Sequence, residues 1–170
     1  MPSSAPRPAA VPPRRLLPAV FALLLAACGT VESLSPGMAR EEVVARWGLP
    51  TRVVPLGQGQ RLQYTFQGNV REAVMVDLDA AGRVVQARQV LNTRDFARVP
   101  IDGSWTRADV EREFGPPFSL GTVARWDGAI LTYRWHDGPM NQLFWVYLDP
   151  DGRVRRTQTG IELRQFRDPR

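Results

Sequence analysis

Two spacings of apolar residues run through the chain. Val43 and Trp47 stand four residues apart, and so do Val110 and Phe114; side chains at that spacing share one face of a helix. Each pair is followed by glycine and then proline, Gly48 with Pro50 and Gly115 with Pro117. Glycine supplies the left-handed residue that ends a helix, and proline forbids its continuation. The pattern predicts two short helices. Elsewhere the spacing falls to two: Val74, Val76 and Leu78, and later Phe144, Val146 and Leu148, alternate with other residues, as strands with one core-facing side do. Asp79 to Gly82 and Asp149 to Gly152 read as the hairpin turns that follow, with glycine free to take positive φ.

These elements form one phrase written twice. GMAREEVVARWGLP, beginning at Gly37, returns as SWTRADVEREFGPP 67 residues later; LQYTF at 62–66 returns as LTYRW at 131–135, and VMVDLDAAGRV at 74–84 as FWVYLDPDGRV at 144–154. The expected fold is α+β, with two tandem repeats, each a short helix or helix pair on a three- to four-stranded antiparallel sheet. The first repeat is placed at 37–99, the second at 100–163, and a short tail at 164–170. Between them, Thr93 is expected to cap one further helical turn around Phe96 before Pro100 stops it. Thr106 and Asp109 stand in the relation of a capping box at the second helix, where the first has Ala39.

The N-terminal thirty residues have a different character. Arg7, Arg14 and Arg15 precede an apolar stretch from Leu16 to Ala27, broken once by Pro18. That stretch is short of the about 20 apolar residues a membrane span needs, and its layout is that of an export signal. Leu25-Ala26-Ala27-Cys28 resembles the bacterial lipobox. The resemblance implies that the Cys28 thiol receives a diacylglycerol, that residues 1–27 are removed, and that the new N-terminus is acylated. Residues 28–36 would then form a lipidated tether. Gly29 after the cysteine implies, by the lipoprotein sorting rule, the outer membrane and its periplasmic face. The plainer alternative is a secretory signal cut after Ala27, leaving a free thiol.

Charge changes meaning once the signal is set aside. The whole chain carries a net charge of +5; without Arg7, Arg14 and Arg15, 19 Arg face 17 acids, a net of +2. No basic run of the kind that tracks phosphates remains, so nucleic acid is excluded as a partner. There is no lysine, so an N-acylated chain would offer no primary amine to a crosslinker. Catalytic patterns are missing too: His136 is the single histidine and reads as part of a turn, Asp77 and Asp79 make no acid/base pair, and no nucleophile elbow, phosphate loop or metal-ligand spacing occurs. Neither metal nor cofactor is expected.

Candidate chemistry lies on the sheets. Opposite the core face, the first repeat carries Ala73, Met75 and Asp77, with Thr65 on the adjoining strand; the second carries Leu143, Trp145 and Tyr147, with Arg134. Aromatics and arginine dominate binding hot spots because they bury much area at little entropic cost. This face is either a protein-binding patch or the surface on which the repeats close a shared core.

With the lipobox, GMAREEVVARWGLP and DAAGRV together, the chain resembles the SmpA/OmlA (BamE) family of outer-membrane lipoproteins. Gly37, Met38, Val43, Gly48 and Pro50 carry the resemblance, partly repeated by Val110, Gly115 and Pro117. The tandem arrangement resembles β-lactamase inhibitory protein. The first resemblance implies a non-catalytic, lipid-anchored scaffold or accessory factor in envelope assembly, with β-barrel assembly components or another envelope protein as partner. The second implies a protein-inhibitor or ligand-binding module.

Overall fold

The computed structural model of the protein describes residues 31–68 and 70–163. The signal, Cys28 and residues 164–170 lie outside them. The fold is α+β, with two antiparallel four-stranded sheets and few helices. After a 3-10 turn at Val31–Ser33, helix α1 (Arg40–Trp47) leads into β1 (Arg52–Leu56), β2 (Gly59–Phe66), β3 (Glu72–Leu78) and β4 (Val84–Gln89). Helices α2 (Thr93–Phe96) and α3 (Arg107–Phe114) precede β5 (Ser119–Val123), β6 (Trp126–Asp137), β7 (Met140–Leu148) and β8 (Val154–Ile161). Both sheets are meanders in chain order, β1-β2-β3-β4 and β5-β6-β7-β8.

The helix stops fall where the sequence puts them. Gly48 and Gly115 follow α1 and α3 with φ of 78° and 77°, and the turn glycines Gly82 and Gly152 both sit at 75°. The further turn is present as α2, but its N-cap is Asn92, whose side chain accepts from the Asp95 N–H at 3.0 Å; Thr93 is the first helical residue. Asparagine wins because its carbonyl reaches the third residue on from an extended backbone.

Local contacts recur at matching places in the two halves. Tyr64 and Tyr133 each donate a hydroxyl hydrogen bond of 3.0 Å to the carbonyl of the glycine that ends the helix packed on their sheet, Gly48 and Gly115. Ala39 bridges to Arg83, and Thr106 to Arg153. A Cβ at Gly59 would stand 1.9 Å from the Leu78 carbonyl oxygen, and one at Gly128 2.0 Å from that of Leu148, so both positions demand glycine.

The core is built in layers. On one face of the first sheet, Leu62, Tyr64, Val74, Val76, Leu78 and Val84 pack with Val43 of α1 and with Leu34. The opposite face, with Ala73 and Met75, joins a second cluster containing Val110 and Phe114 of α3 and Leu131, Tyr133, Phe144, Val146 and Leu148 of the second sheet. Helix α3 is therefore shared: one side lies on the first sheet, the other on the second. The second cluster also takes in Val90, Leu91, Phe96 and Val99, so residues grouped by sequence with the first repeat pack with the second sheet. Two clusters of this size give the hydrophobic burial that dominates folding.

Candidate functional site

Ala73, Met75 and Asp77, read from sequence as the counterparts of an outer face, are buried. The cause is α3. The last carbonyls of a helix run short of partners, and Pro116 has no N–H to offer the Arg112 carbonyl. Here the first sheet supplies donors, Gln63 Nε2 and Arg61 Nη1 each reaching the Arg112 carbonyl at 3.0 Å. Gln63 Nε2 also lies 2.9 Å from the Glu111 carbonyl, which already accepts from the Gly115 N–H. Small Ala73 and flexible Met75 leave room for the helix, and Thr65 packs beneath Gly115.

Arg61 is itself held by charge. Its Nε and Nη2 meet the two Asp77 oxygens at 2.5 and 3.0 Å, a bidentate pair, and its Nη1 lies 3.1 Å from Glu113 Oε1. Arg88 extends the chain of charges to Asp95 at 2.7 Å and to Glu113 at 3.3 Å. Burial pushes the Asp77 carboxyl up, but hydrogen bonds from Arg61 and Gln86 and the nearby guanidiniums outweigh it and hold the group below the usual carboxylate value. Beside this network, between β4, α2 and the end of α3, opens a polar cleft of about 930 Å³. Its floor charges, Arg61, Arg88, Asp95 and Glu113, are already paired within the protein, which makes the cleft a polar seam between layers.

Among the described residues, the outer face of the second sheet has no such cover. Register places Thr132 opposite Trp145, Arg134 opposite Leu143, and Gln158 on the far side of Trp145. Leu143, Trp145 and Tyr147 are half-buried there and lie outside the shared core cluster. The Trp145 indole rests over Gly160, where an added Cβ would come within 2.8 Å of the ring. Tyr147 is fixed more tightly: Trp126 meets it edge-on at 5.3 Å, the Arg156 guanidinium lies 5.0 Å above it, and its hydroxyl is 3.2 Å from Gln158 Oε1. Trp145 and Tyr147 thus stand side by side on a rigid sheet, which suits them to act as binding anchors.

Arg134 has a different position from the one its residue type suggested. It salt-bridges Glu162 at 2.7 Å, donates to the Gly68 carbonyl at 3.3 Å, and stacks on Phe118 at 4.7 Å. The Gln67 side chain pairs with its backbone in both directions, accepting from Arg134 N at 2.9 Å and donating to Arg134 O at 3.3 Å. Gln67 so continues the ladder beyond the start of β5. Arg134 is a joint between the β2–β3 turn and the second sheet, which the sequence showed only as an arginine beside aromatics. The buried pair of Arg61 and Asp77 went unread as well; its signal is a strand polar on the face where its neighbour is apolar.

Among the described residues no group of three His, Cys, Asp or Glu side chains could hold a metal ion, and no helix is long and apolar enough to cross a membrane.

No family model matches the chain, and no curated protein matches it either. Among solved structures it is similar to a DUF4309 family protein (YjgB) from Bacillus subtilis subsp. subtilis str. 168, at 14% identity and a TM-score of 0.30, covering 73% of this chain and 78% of that one. An extracellular protein containing a SCP domain from Bacillus anthracis str. Ames is similar at 14% identity and a TM-score of 0.32, covering 82% of this chain and 53% of that one. Likenesses at this level carry no argument about what the present protein does.

Proposed function

We propose that the protein is a non-catalytic lipoprotein, anchored through Cys28 to the periplasmic face of the outer membrane, that serves as a scaffold or accessory factor in envelope protein assembly. The observation that carries the reading is the asymmetry between the two sheets. One has its second face filled by α3, while the other presents Trp145 and Tyr147 on a face with no helix over it among the described residues. We read the two halves as a tandem duplication in which the first copy's outer face was given over to joining the copies, leaving the second copy's outer face for a partner. The paired tyrosine-to-glycine bonds and the paired close approaches at Gly59 and Gly128 support that history. The lipobox and the GMAREEVVARWGLP phrase support membership of the SmpA/OmlA (BamE)-like group. Anchoring confines protein and partner to one surface and raises their effective concentration.

The test is photo-crosslinking in intact envelopes from position 158, directly across from Trp145, with Trp145→Ala as control. Adducts with barrel-assembly components that vanish in the control support the reading. Capture of one soluble enzyme would favour an inhibitory module instead. Adducts unchanged by Trp145→Ala would sink the assignment of this face. Separately, Cys28→Ser should move the protein out of the membrane fraction; retention there would refute lipid anchoring.

A further inference from the structure

β1, β4, β5 and β8 stand at the edges of the two sheets, and the first three are blunted against further pairing. β1 carries Pro55, which has no N–H to offer. The start of β4 is taken by the segment before α1: Gly37 N–H bonds the Val84 carbonyl at 2.7 Å, and Val84 N–H bonds the Met38 carbonyl at 2.9 Å. β5 is five residues long, and its register breaks between Gly121 and Val123. Proline, cover, shortness and irregularity are the ordinary means by which an edge is closed. Among the described residues, the second half of β8 has none of them. It reads Thr157-Gln158-Thr159-Gly160-Ile161, without charge or proline, and its register shift lies at its start, opposite Tyr147 and Leu148.

The backbone of that half is turned outward at every second residue. Glu162 N–H bonds the Asn141 carbonyl at 2.9 Å, which points residue 162 towards β7. Residues on an antiparallel strand alternate in this respect, so Arg156, Gln158 and Gly160 point inward with it, and Thr157, Thr159 and Ile161 point their N–H and C=O groups away from the sheet. No partner meets those groups among the described residues. Helix α2 stops short of them, leaving an open groove of about 470 Å³ between Thr93, Phe96 and Ala97 and the strand at Thr157 and Thr159. The cover ends just before. Val154 N–H is taken by the Trp105 carbonyl at 2.9 Å, and Arg155 Nη1 donates to the Asp102 carbonyl at 2.9 Å, so 102–105 closes the edge as far as residue 155.

The stretch left free, 156–162, is centred on Thr159, and that symmetry decides the occupant. We infer that β8 pairs with β8 of a second copy of this chain, antiparallel about a two-fold axis at Thr159, joining the two second sheets into one. In this register Thr159 faces the second copy's Thr159, and Thr157 faces its Ile161, so all three outward residues find outward partners and each such pair exchanges two hydrogen bonds. An axis at Gln158 or Gly160 would leave Ile161 or Thr157 with no opposite residue inside the free stretch. The side chains agree: Arg156 stands opposite the second copy's Glu162, and no like charges face each other, which would oppose pairing. Glu162 is already held by Arg71 and Arg134, so the backbone bonds carry the contact. On the outer face the Trp145 ring leans over Gly160, towards this edge. Pairing sets the two Trp145 rings on either side of the axis, their strands three spacings or about 14 Å apart. The pairing stands on the edge alone, and its bearing on a partner rests on the outer-face reading proposed above: that partner meets anchors from both copies.

The experiment is disulfide trapping of the purified full chain in detergent, read on a non-reducing gel after mild oxidation. Residues facing each other as a hydrogen-bonded pair have Cα atoms about 5.5 Å apart, within the range a disulfide spans. Thr159→Cys is compared with Thr122→Cys, on the exposed β5 edge of the same sheet, and with the unsubstituted chain, which reports any bridging through Cys28. The expected result is several-fold more dimer from Thr159→Cys than from either control. Adding Ile161→Pro to Thr159→Cys removes an outward N–H that β7 does not use, and should cut the dimer several-fold at an unchanged melting temperature. Should proline disturb the strand, Ile161→Arg guards the edge by charge instead and should cut the dimer likewise. Dimer no greater than in the controls, or undiminished by both second substitutions, would overturn the pairing. A chain that stays single while Trp145-dependent adducts still form would overturn it too, and leave the outer-face reading standing.

Discussion

Helix α1 lacks what α3 has, and the difference sets up a substitution in the stabilising direction. At α3, Thr106 Oγ1 accepts from the Asp109 N–H at 3.4 Å while Asp109 Oδ2 accepts from the Thr106 N–H at 2.8 Å. At α1 only the return half exists, Glu42 Oε2 accepting from the Ala39 N–H at 3.3 Å, because alanine has no oxygen to offer. The backbones are alike: Ala39 sits at φ −73° and ψ 150°, Thr106 at −95° and 171°. Threonine at position 39 would complete the box without backbone change. A cap of this kind contributes about 1 kcal/mol. The cap bond at Thr106 is long, so the lower part of that range, about 0.5–1 kcal/mol, applies. For a chain of this size that raises Tm by about 1–4 °C. Circular dichroism melting of Ala39→Thr beside Thr106→Ala checks it. The first should rise and the second fall by similar amounts. A fall at 106 with no rise at 39 would show that the two helix starts are not equivalent, and would refute the reasoning.

Asp77→Asn breaks the bidentate pair with Arg61, whose side chain is 4% exposed, and leaves Glu113 as its remaining carboxylate; a loss of about 3 kcal/mol is expected, read as a lowered urea midpoint. Because the folded Asp77 carboxyl sits below its unfolded value, its stabilisation is complete above about pH 4 and is lost as pH falls through the folded value; the acid side of the stability–pH profile should flatten in Asp77→Asn and stay steep in a neutral surface control. Tyr133→Phe removes a buried bond to the Gly115 carbonyl and should cost about 1 kcal/mol, with Tyr64→Phe, whose ring is buried too but whose bond to the Gly48 carbonyl is only partly so, costing less; equal losses would count against the difference in burial of the two bonds. Gly128→Ala drives a methyl into the Leu148 carbonyl and should destabilise by about 2 kcal/mol or more, with Gly59→Ala matching it; tolerance at either position, seen as an unchanged Tm, would refute the close approach.

Periodicity made α1, α3, the middle strands and the turns legible, because each is fixed by local chemistry: a spacing of four, a glycine stop, an aspartate-to-glycine turn. Which face of a sheet meets water is not local. Ala73, Met75 and Asp77 resemble an outer face from their own strand, and only the arrival of α3 from thirty residues away buries them. The same holds for Arg61 and Gln63, polar residues on a covered strand whose purpose appears once the helix end above them is known. Trp145 and Tyr147 were singled out by residue type, and their placement on the uncovered side follows from the alternation with Phe144 and Val146. Arg134 misled because residue type says nothing of partners, and its partners Gly68 and Glu162 come from either side of it in the chain.

The sharing of α3 sets an order on folding. Its Arg112 carbonyl is satisfied by Gln63 and Arg61, so the second half on its own would lose those donors and uncover the side of α3 that packs with Ala73 and Met75. The first half alone would expose Ala73, Met75 and a charged pair to water. Neither is a self-sufficient module, despite the likeness of their strands. Until residues 107–114 have been synthesised, the chain holds no helix to cover the Ala73 and Met75 face of the first sheet. That interval is when the protein is most open to proteolysis and to pairing with a second copy, through the helix of a neighbour laid on the waiting sheet.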